Sequence, residues 1–453
     1  MKNILLIGAG RSASTLIKYL LDKSFSENWK LTVADLSAEL ASQKTGKHEN
    51  ARAIAFDINN AGQLKNEIAK VDLVISMLPA TMHLSVAQEC LVQKKNMVTA
   101  SYVSKQMKEL DAEAKRMGVI FLNEIGLDPG IDHLSAMKVI DEVHEQGGKV
   151  ITFKSYCGGL VAPESNDNPW GYKFTWNPRA VVMAGQGGDA AGIAAQYMEN
   201  GKVKYIPYTR LFSSLETVSV GGLGKFDAYA NRDSLSYINV YGLKDVQNMY
   251  RGTLRASGFC KAWNALIQLG ITDDSFKISN AKNLSYADFT DAFTPSLKSK
   301  TGLKKRMAIF LREKENSPVI KKLDWLGIFK SQKIGLQNVS PAEILLDLLM
   351  KKWNLKSKDK DMVVMQHEFE YILPKQPKKV KGITSSLVVI GDDQVNTAMS
   401  KTVGLPLGIA TKLILNGRIA LTGVQVPTAK EIYIPVLAEL DNLGIRFIEK
   451  HKG

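Results

Sequence analysis

Apolar and polar positions follow one rhythm up to about residue 125 and another beyond Lys149. In the first part, short unbroken apolar runs alternate with stretches whose apolar residues fall three and four apart. Lys2 to Ile7 predicts a strand, Ser12 to Asp22 a helix and Lys30 to Ala34 a second strand, with another helix opening near Ser37. Then come a strand at Asp72 to Met77, a helix at Met82 to Lys94, a strand at Asn96 to Ala100, a helix at Lys105 to Arg116 and a strand at Val119 to Leu122. Strands that are apolar throughout need cover on both faces, so the pattern predicts an α/β fold with a Rossmann-type doubly wound parallel sheet.

From Lys149 onward Gly, Pro and aromatic residues accumulate, and Val150 to Tyr156 and Tyr205 to Phe212 alternate as strands of a mixed sheet do. Residues 258 to 360 read as helices, among them Phe259 to Leu269, Leu303 to Glu313 and Pro341 to Lys352. Met362 to Leu373 and Ile383 to Ile390 predict strands flanking a loop at Pro374 to Gly382. Ser400 to Asn416 predicts a helix in a tail expected to pack back on the first domain.

Composition narrows the class. The 453 residues, 45% apolar and 23% charged, are those of an ordinary globular protein of about three domains. The apolar run at the N-terminus is too short for a signal peptide and no stretch is long enough to span a membrane, so a cytoplasmic protein is expected. Cys90, Cys157 and Cys260 are odd in number and far apart, which indicates neither a disulfide framework nor a metal site.

The formal charge of +14 is concentrated in lysine runs: Lys298, Lys300, Lys304, Lys305 and Arg306, then Lys351 to Lys360, then Lys375 to Lys381. These runs lack interleaved aromatics and any nucleic-acid-binding motif, so they read as solvated surface and no nucleic-acid partner is expected. A weaker reading is that the excess charge concentrates an acidic metabolite.

Gly8-Ala9-Gly10-Arg11-Ser12-Ala13 follows the first strand and opens a helix, the setting of a dinucleotide fingerprint. Gly8 permits the turn, Gly10 the approach of a pyrophosphate and Ala13 close helix packing, and Arg11 is placed for a phosphate contact. Asp35 ends the second strand, where a carboxylate either binds the adenosine ribose, favouring NAD over NADP, or caps the next helix. No arginine follows it directly, although Lys44 and Lys47 are expected to be able to approach a phosphate from the following helix. Asp57 ends the third strand candidate, and Met77-Leu78-Pro79 closes the fourth at the carboxyl edge.

Several further stretches are richer in glycine and polar groups than core packing requires: Ser101-Tyr102-Val103, Asn123 to Met137, Ser155 to Pro178, Tyr229 to Ser234 and Arg251 to Arg255. Together with Met399 to Gly408 they closely resemble saccharopine dehydrogenase of the glutamate-forming type. The resemblance implies interconversion of saccharopine, NAD(P)+ and water with L-glutamate, 2-aminoadipate 6-semialdehyde and NAD(P)H, with hydride exchanged at an imine carbon. It also implies a homodimer built from three parts. These are a Rossmann domain (1–130 with 394–453), a mixed α/β domain for substrate and dimer contacts (131–257 with 361–393) and a small all-helical domain (258–360).

Matched position by position, the implied cofactor set is Gly8, Ala9, Gly10, Arg11, Asp35, Phe56, Asp57, Met77, Leu78, Pro79 and Asn177, with Leu127 and Pro129 near the nicotinamide. The implied substrate set is Ala100, Ser101, Asp128, Arg232, Thr253, Leu254 and Arg255. Saccharopine carries three carboxylates, which guanidinium forks recognise in bidentate fashion, so Arg232 and Arg255 are the expected anchors. Fungal members place an arginine just after the second strand, where this chain has Asp35-Leu36.

Candidates for proton transfer are Asp128, Tyr102, Cys157 and His133. Each has a plainer role open to it: Asp128 initiates a turn before Pro-Gly, Cys157 packs, and His133 follows Asp132 at a helix start. The rival readings are a dehydrogenase acting on a polyamine-type imine, whose site would need clustered carboxylates, and a non-catalytic dinucleotide sensor that binds nucleic acid.

Overall fold

The computed structural model describes residues 1–184, 194–297 and 301–452, so Lys298 and Lys300 of the first lysine run lie outside the described residues. The chain divides into two compact units: Met1–Ile151 with Asn239–Asp245 and His367–Gly453, and Thr152–Ile238 with Val246–Gln366.

The first unit is built on the strands β1 (Lys2–Ile7), β2 (Trp29–Asp35), β3 (Ala51–Ala55), β4 (Leu73–Ser76), β5 (Asn96–Thr99) and β6 (Ile120–Leu122). With the strand Gly423–Gln425 beyond β6, they form a parallel sheet in the order Gly423–Gln425, β6, β5, β4, β1, β2, β3. The chain reverses direction of travel between β1 and β4, which is the switch point where doubly wound sheets bind ligands. The strands are apolar because both faces are covered: Ile4, Leu5, Leu6 and Ile7 are fully or nearly fully buried.

The helix Ser14–Lys23 after β1 is covered in turn by Ala398–Leu415 from the far end of the chain. A Cβ on Gly404 would stand 2.8 Å from the backbone nitrogen of Leu16, so the two helices touch backbone to backbone there. Ser400 Oγ accepts from the Thr15 N–H at 2.9 Å.

The second unit carries a mixed sheet in the order Leu215–Val220, Gly224–Ala230, Asn248–Ala256, Lys149–Val161 and Asp361–Leu373, of which Lys149–Ile151 and His367–Leu373 are counted with the first unit. Asn248–Ala256 runs parallel to Lys149–Val161 and antiparallel to Gly224–Ala230. Its sheet residues share one core with the helices Phe259–Leu269, Tyr286–Ala292, Pro318–Leu326 and Pro341–Lys352. Trp170, Trp263 and Trp353 are buried at the centre of that core.

Three expectations differ from the structure. Tyr205 to Phe212 is not one strand: the strand Lys202–Pro207 ends at a proline, which has no N–H to continue a ladder, and Tyr208–Ser213 winds into a tight helical turn. Pro374 to Gly382 is not a loop, because the strands Asp361–Leu373 and Gln376–Ile390 meet almost directly. Lys378, Lys379 and Val380 stand on an exposed arm of that hairpin, and with no face buried the arm has no alternating pattern. The helix expected at Lys105 to Arg116 is two, Lys105–Glu109 and Asp111–Met117, hinged at Leu110, whose side chain packs on the core.

Candidate functional site

β1 delivers the chain into a turn at Gly8, whose φ of +103° is open to glycine alone in practice. A Cβ there would stand 2.8 Å from Met77 O, at the end of the neighbouring strand β4. The loop is tied to β2 from the other side: Gly8 N–H donates to Ala34 O at 2.8 Å, and Ala9 N–H to Asp35 Oδ2 at 2.7 Å. Asp35 Oδ1 accepts from Ser37 N–H at 3.1 Å. Ser37, not Asp35, is the cap of the helix Ala38–Thr45, its Oγ accepting from Leu40 N–H.

Gly10 and Arg11 are exposed, and a Cβ on Gly10 would meet nothing within 4 Å, so the backbone there is open to a ligand. Immediately beyond, a tight turn at Arg11–Ala13 leads into the helix Ser14–Lys23, whose N-terminal N–H groups and dipole favour an anion. Lys44 reaches back to this turn and donates to Gly10 O and to Ser14 Oγ, and burial lowers its pKa to about 8. The loop therefore has the turn, the open backbone and the positive pole that a pyrophosphate needs.

The other members of the cofactor set in this unit sit at the carboxyl ends of neighbouring strands. Phe56 is buried and Asp57 exposed after β3, and after β4 Met77 and Leu78 are half-buried and Pro79 exposed. Asp57 Oδ1 accepts from Asn59 N–H at 2.9 Å.

After β5 the chain runs through Ala100, Ser101 and Tyr102, and after β6 through Glu124 to the turn holding Leu127, Asp128 and Pro129. Gly126 N–H donates to Pro129 O and Ile131 N–H to Gly126 O, which folds that turn onto the start of the helix Ile131–Glu145. It brings half-buried Asp128 within 3.4 Å of the Tyr102 hydroxyl. Asp132 lies inside the first helical turn and its carboxylate accepts from Gly130 N–H at 2.6 Å.

His133 does more than begin a helix. It is fully buried, with Nε2 2.9 Å from Glu124 Oε2 and Nδ1 2.5 Å from the Tyr241 hydroxyl. Glu124 is also buried, and its φ of +56° is a left-handed conformation that costs a non-glycine residue about 1–3 kcal/mol.

Sequence reasoning missed His83. Its Nδ1 lies 2.8 Å from Ser76 Oγ and its Nε2 2.7 Å from Ser101 Oγ, linking the ends of β4 and β5. A neutral imidazole has one donor and one acceptor nitrogen, which two hydroxyls complete, and burial pushes the His83 pKa down to about 4.

A pH dependence follows from the sign of that shift. Between the unfolded value of about 6.5 and the folded value of about 4, the unfolded chain binds more protons, so stability falls as pH is lowered through that window, by about 3 kcal/mol in all. Chemical denaturation of the wild type and of His83→Asn at pH values across the window should give a shallower slope for the variant; equal slopes would contradict this.

In the second unit Arg255 is 5% exposed, its guanidinium set among the rings of Tyr172, Tyr229 and Phe259 at 5.2, 5.7 and 5.6 Å. Nη1 donates to Leu254 O at 2.9 Å, while Nε is buried with no hydrogen-bond acceptor. Among the described residues no carboxylate reaches it at ion-pair distance.

Register places other members of the set beside it. Thr253 pairs with Cys157 across parallel strands and with Tyr229 on the other side, and Cys157 is buried. Arg232 is exposed at φ +51° just past the strand Gly224–Ala230. Arg251 is buried with its guanidinium 4.5 Å over the Tyr237 ring. Asn177 caps the short helix Pro178–Val182, its Oδ1 accepting from Arg179 N–H at 3.1 Å. The expected residues thus fall into two groups, one in each unit.

Residues 4–122 match the family model for the saccharopine dehydrogenase NADP binding domain, and residues 126–445 that for the saccharopine dehydrogenase C-terminal domain. The chain belongs to the saccharopine dehydrogenase family. Its relatives include the saccharopine dehydrogenase [NADP(+), L-glutamate-forming] of Pyricularia oryzae, 36% identical over 99% of both chains, and that of Saccharomyces cerevisiae, 34% identical over 99% of both. Among solved structures, the apo saccharopine dehydrogenase (L-Glu forming) of Saccharomyces cerevisiae superposes with a TM-score of 0.88 at 32% identity, covering 100% of each chain.

Membership of the saccharopine dehydrogenase family bears out the α/β class with its Rossmann-type parallel sheet and mixed second sheet. It does not support the preference for NAD, since these two relatives are named for NADP(+). No helix among the described residues is long and apolar enough to cross a membrane.

Proposed function

We propose that this chain catalyses the reversible reaction of saccharopine, NADP+ and water to L-glutamate, 2-aminoadipate 6-semialdehyde, NADPH and a proton, within lysine metabolism. The observation that carries the substrate class is Arg255, a buried cation with no carboxylate at ion-pair distance among the described residues; its cross-strand neighbour Asp227 instead accepts from Gly258 N–H. A buried guanidinium without a counter-ion is costly to the fold, and a substrate carboxylate supplies what is missing. A polyamine-type imine is cationic and would find the wrong charge at Arg255. Arg232, exposed at its turn, is the second carboxylate anchor, and Thr253 and Leu254 line the strand between.

The nicotinamide ring supplies the hydride chemistry. Gly8, Ala9, Gly10 and Arg11 hold the pyrophosphate, with Phe56, Asp57, Met77, Leu78 and Pro79 along the same sheet edge and Leu127, Pro129 and Asn177 toward the nicotinamide. Ala100 and Ser101 line the substrate. Asp128, with Tyr102 donating to it, orients the substrate amine and takes the proton released on imine formation and hydrolysis, and Cys157 stands near Arg255 as a further proton carrier.

The names of the relatives favour NADP+ as cofactor. Asp35, whose two carboxylate oxygens hold Ala9 and Ser37, serves first to shape the loop. Reduction of NADP+ and of NAD+ by saccharopine, followed by absorbance, is the test. Saccharopine-dependent reduction with kcat/KM about tenfold or more higher for NADP+ is expected. No reduction with either cofactor rejects the function, and a preference for NAD+ returns Asp35 to the ribose. A homodimer in solution, read by sedimentation, accompanies this reading.

A further inference from the structure

Tyr102 and Asp128 lie on different segments, the stretch after β5 and the turn after β6, and a 3.4 Å contact between them needs something to hold both. Glu124 does so. Its N–H donates to Ser101 O at 3.1 Å, and its Oε1 accepts from Val103 N–H at 2.9 Å. One residue therefore grips the chain on either side of Tyr102, and it belongs to the same segment that carries Asp128 four positions on.

The other oxygen of the carboxylate is held in turn. Oε2 lies 2.9 Å from His133 Nε2, and His133 Nδ1 lies 2.5 Å from the Tyr241 hydroxyl. A carboxylate only accepts, so Nε2 carries the imidazole proton and Nδ1 accepts from Tyr241, a tautomer assigned from the network. Rotating the carboxylate breaks the bonds to Val103 and His133 together. The left-handed φ of +56° at Glu124 points the same way, since backbone strain at a non-glycine residue persists where the surrounding structure holds it.

We infer that Glu124, backed by His133 and Tyr241, is a positioning residue that fixes the Tyr102 hydroxyl opposite the Asp128 carboxylate. The inference rests on the roles given above to Tyr102 and Asp128. Glu124 acts through the backbone from which Tyr102 projects.

The test is a set of double-mutant cycles with saccharopine and NADP+. Glu124→Ala should lower kcat about 10- to 100-fold, the scale of a misplaced reacting group, with the dissociation constant for NADPH unchanged. Tyr241→Phe should lower it about tenfold or less, because it removes only the outermost bond of the relay. Glu124→Gln, which keeps an oxygen for Val103, should recover most of the loss.

Combined with Tyr102→Phe, each variant should add no more than about a twofold further loss, because its effect passes through the hydroxyl already removed. Losses that multiply, or an NADPH dissociation constant that rises in step with the fall in kcat, would overturn the inference. Tyr241→Phe removes a single hydroxyl and keeps the cycle readable should Glu124→Ala not fold.

If the wild type does not turn over saccharopine, the proposed function fails and the grip is read without turnover. Hydrogen exchange at the Val103 amide should be about tenfold faster in Glu124→Ala or more, and unaffected by Tyr102→Phe. Unchanged exchange in Glu124→Ala would remove the inference on its own.

Discussion

Arg255→Met is expected to stabilise the protein while removing most of its activity on saccharopine. The wild-type guanidinium is buried among Tyr172, Tyr229 and Phe259, with its Nε lacking an acceptor. Methionine fills a similar volume with an apolar, adaptable side chain, so the change removes a desolvation penalty and keeps the packing. A gain of about 1–3 kcal/mol in unfolding free energy is expected.

The same change deletes the fork that binds a carboxylate, for which a loss of about 10²- to 10³-fold in kcat/KM is expected. Arg255→Lys should fall between, since an ammonium keeps the charge without the bidentate geometry. Thermal melts and steady-state kinetics on the same preparations decide it. If Arg255→Met melts lower than the wild type, the guanidinium is a structural element and its role as an anchor is lost.

Gly8→Ala and Gly10→Ala should part company. A Cβ at position 8 meets Met77 O at 2.8 Å in a backbone conformation that L residues avoid, so the loop must shift and stability should fall by about 2–4 kcal/mol. At position 10 a Cβ meets no protein atom within 4 Å, and the stability change should stay within about 0.5 kcal/mol. Both should weaken NADPH binding about tenfold or more, the first by deforming the loop and the second by standing where a pyrophosphate passes. Denaturant titration and fluorescence titration with NADPH measure the two effects separately. Unimpaired binding by Gly10→Ala would place the dinucleotide elsewhere.

What could be read from the sequence was what depends on near neighbours. β1, the turn at Gly8 and the helix behind it are coded within one short stretch, and Phe259–Leu269 and Pro341–Lys352 carry a full apolar face that sets their limits. The fingerprint also gave Asp35 a place, though not its bonds, because Ala9 N–H lies 26 residues away along the chain.

The relay of Glu124, His133 and Tyr241 had no signal of its own: its last bond spans 108 residues, and Tyr241 lies in a stretch with no motif. His83 was hidden likewise, since its partners Ser76 and Ser101 become neighbours only when β4 and β5 pair. Arg255 was legible as a cation but not as a buried one, because Tyr172, Tyr229 and Phe259 come to it from three separate segments.

The contact of Gly404 with Leu16 bears on how the protein is made. The dinucleotide loop and its helix leave the ribosome well before the helix that seals them, the Thr15–Ser400 bond between the two spanning 385 residues, and before the strand Gly423–Gln425 that joins their sheet. The nascent loop and helix therefore wait with an apolar face uncovered while the intervening chain is made. That interval is a window for chaperone capture, and it is also why this segment does not lend itself to excision as a transplantable cofactor module.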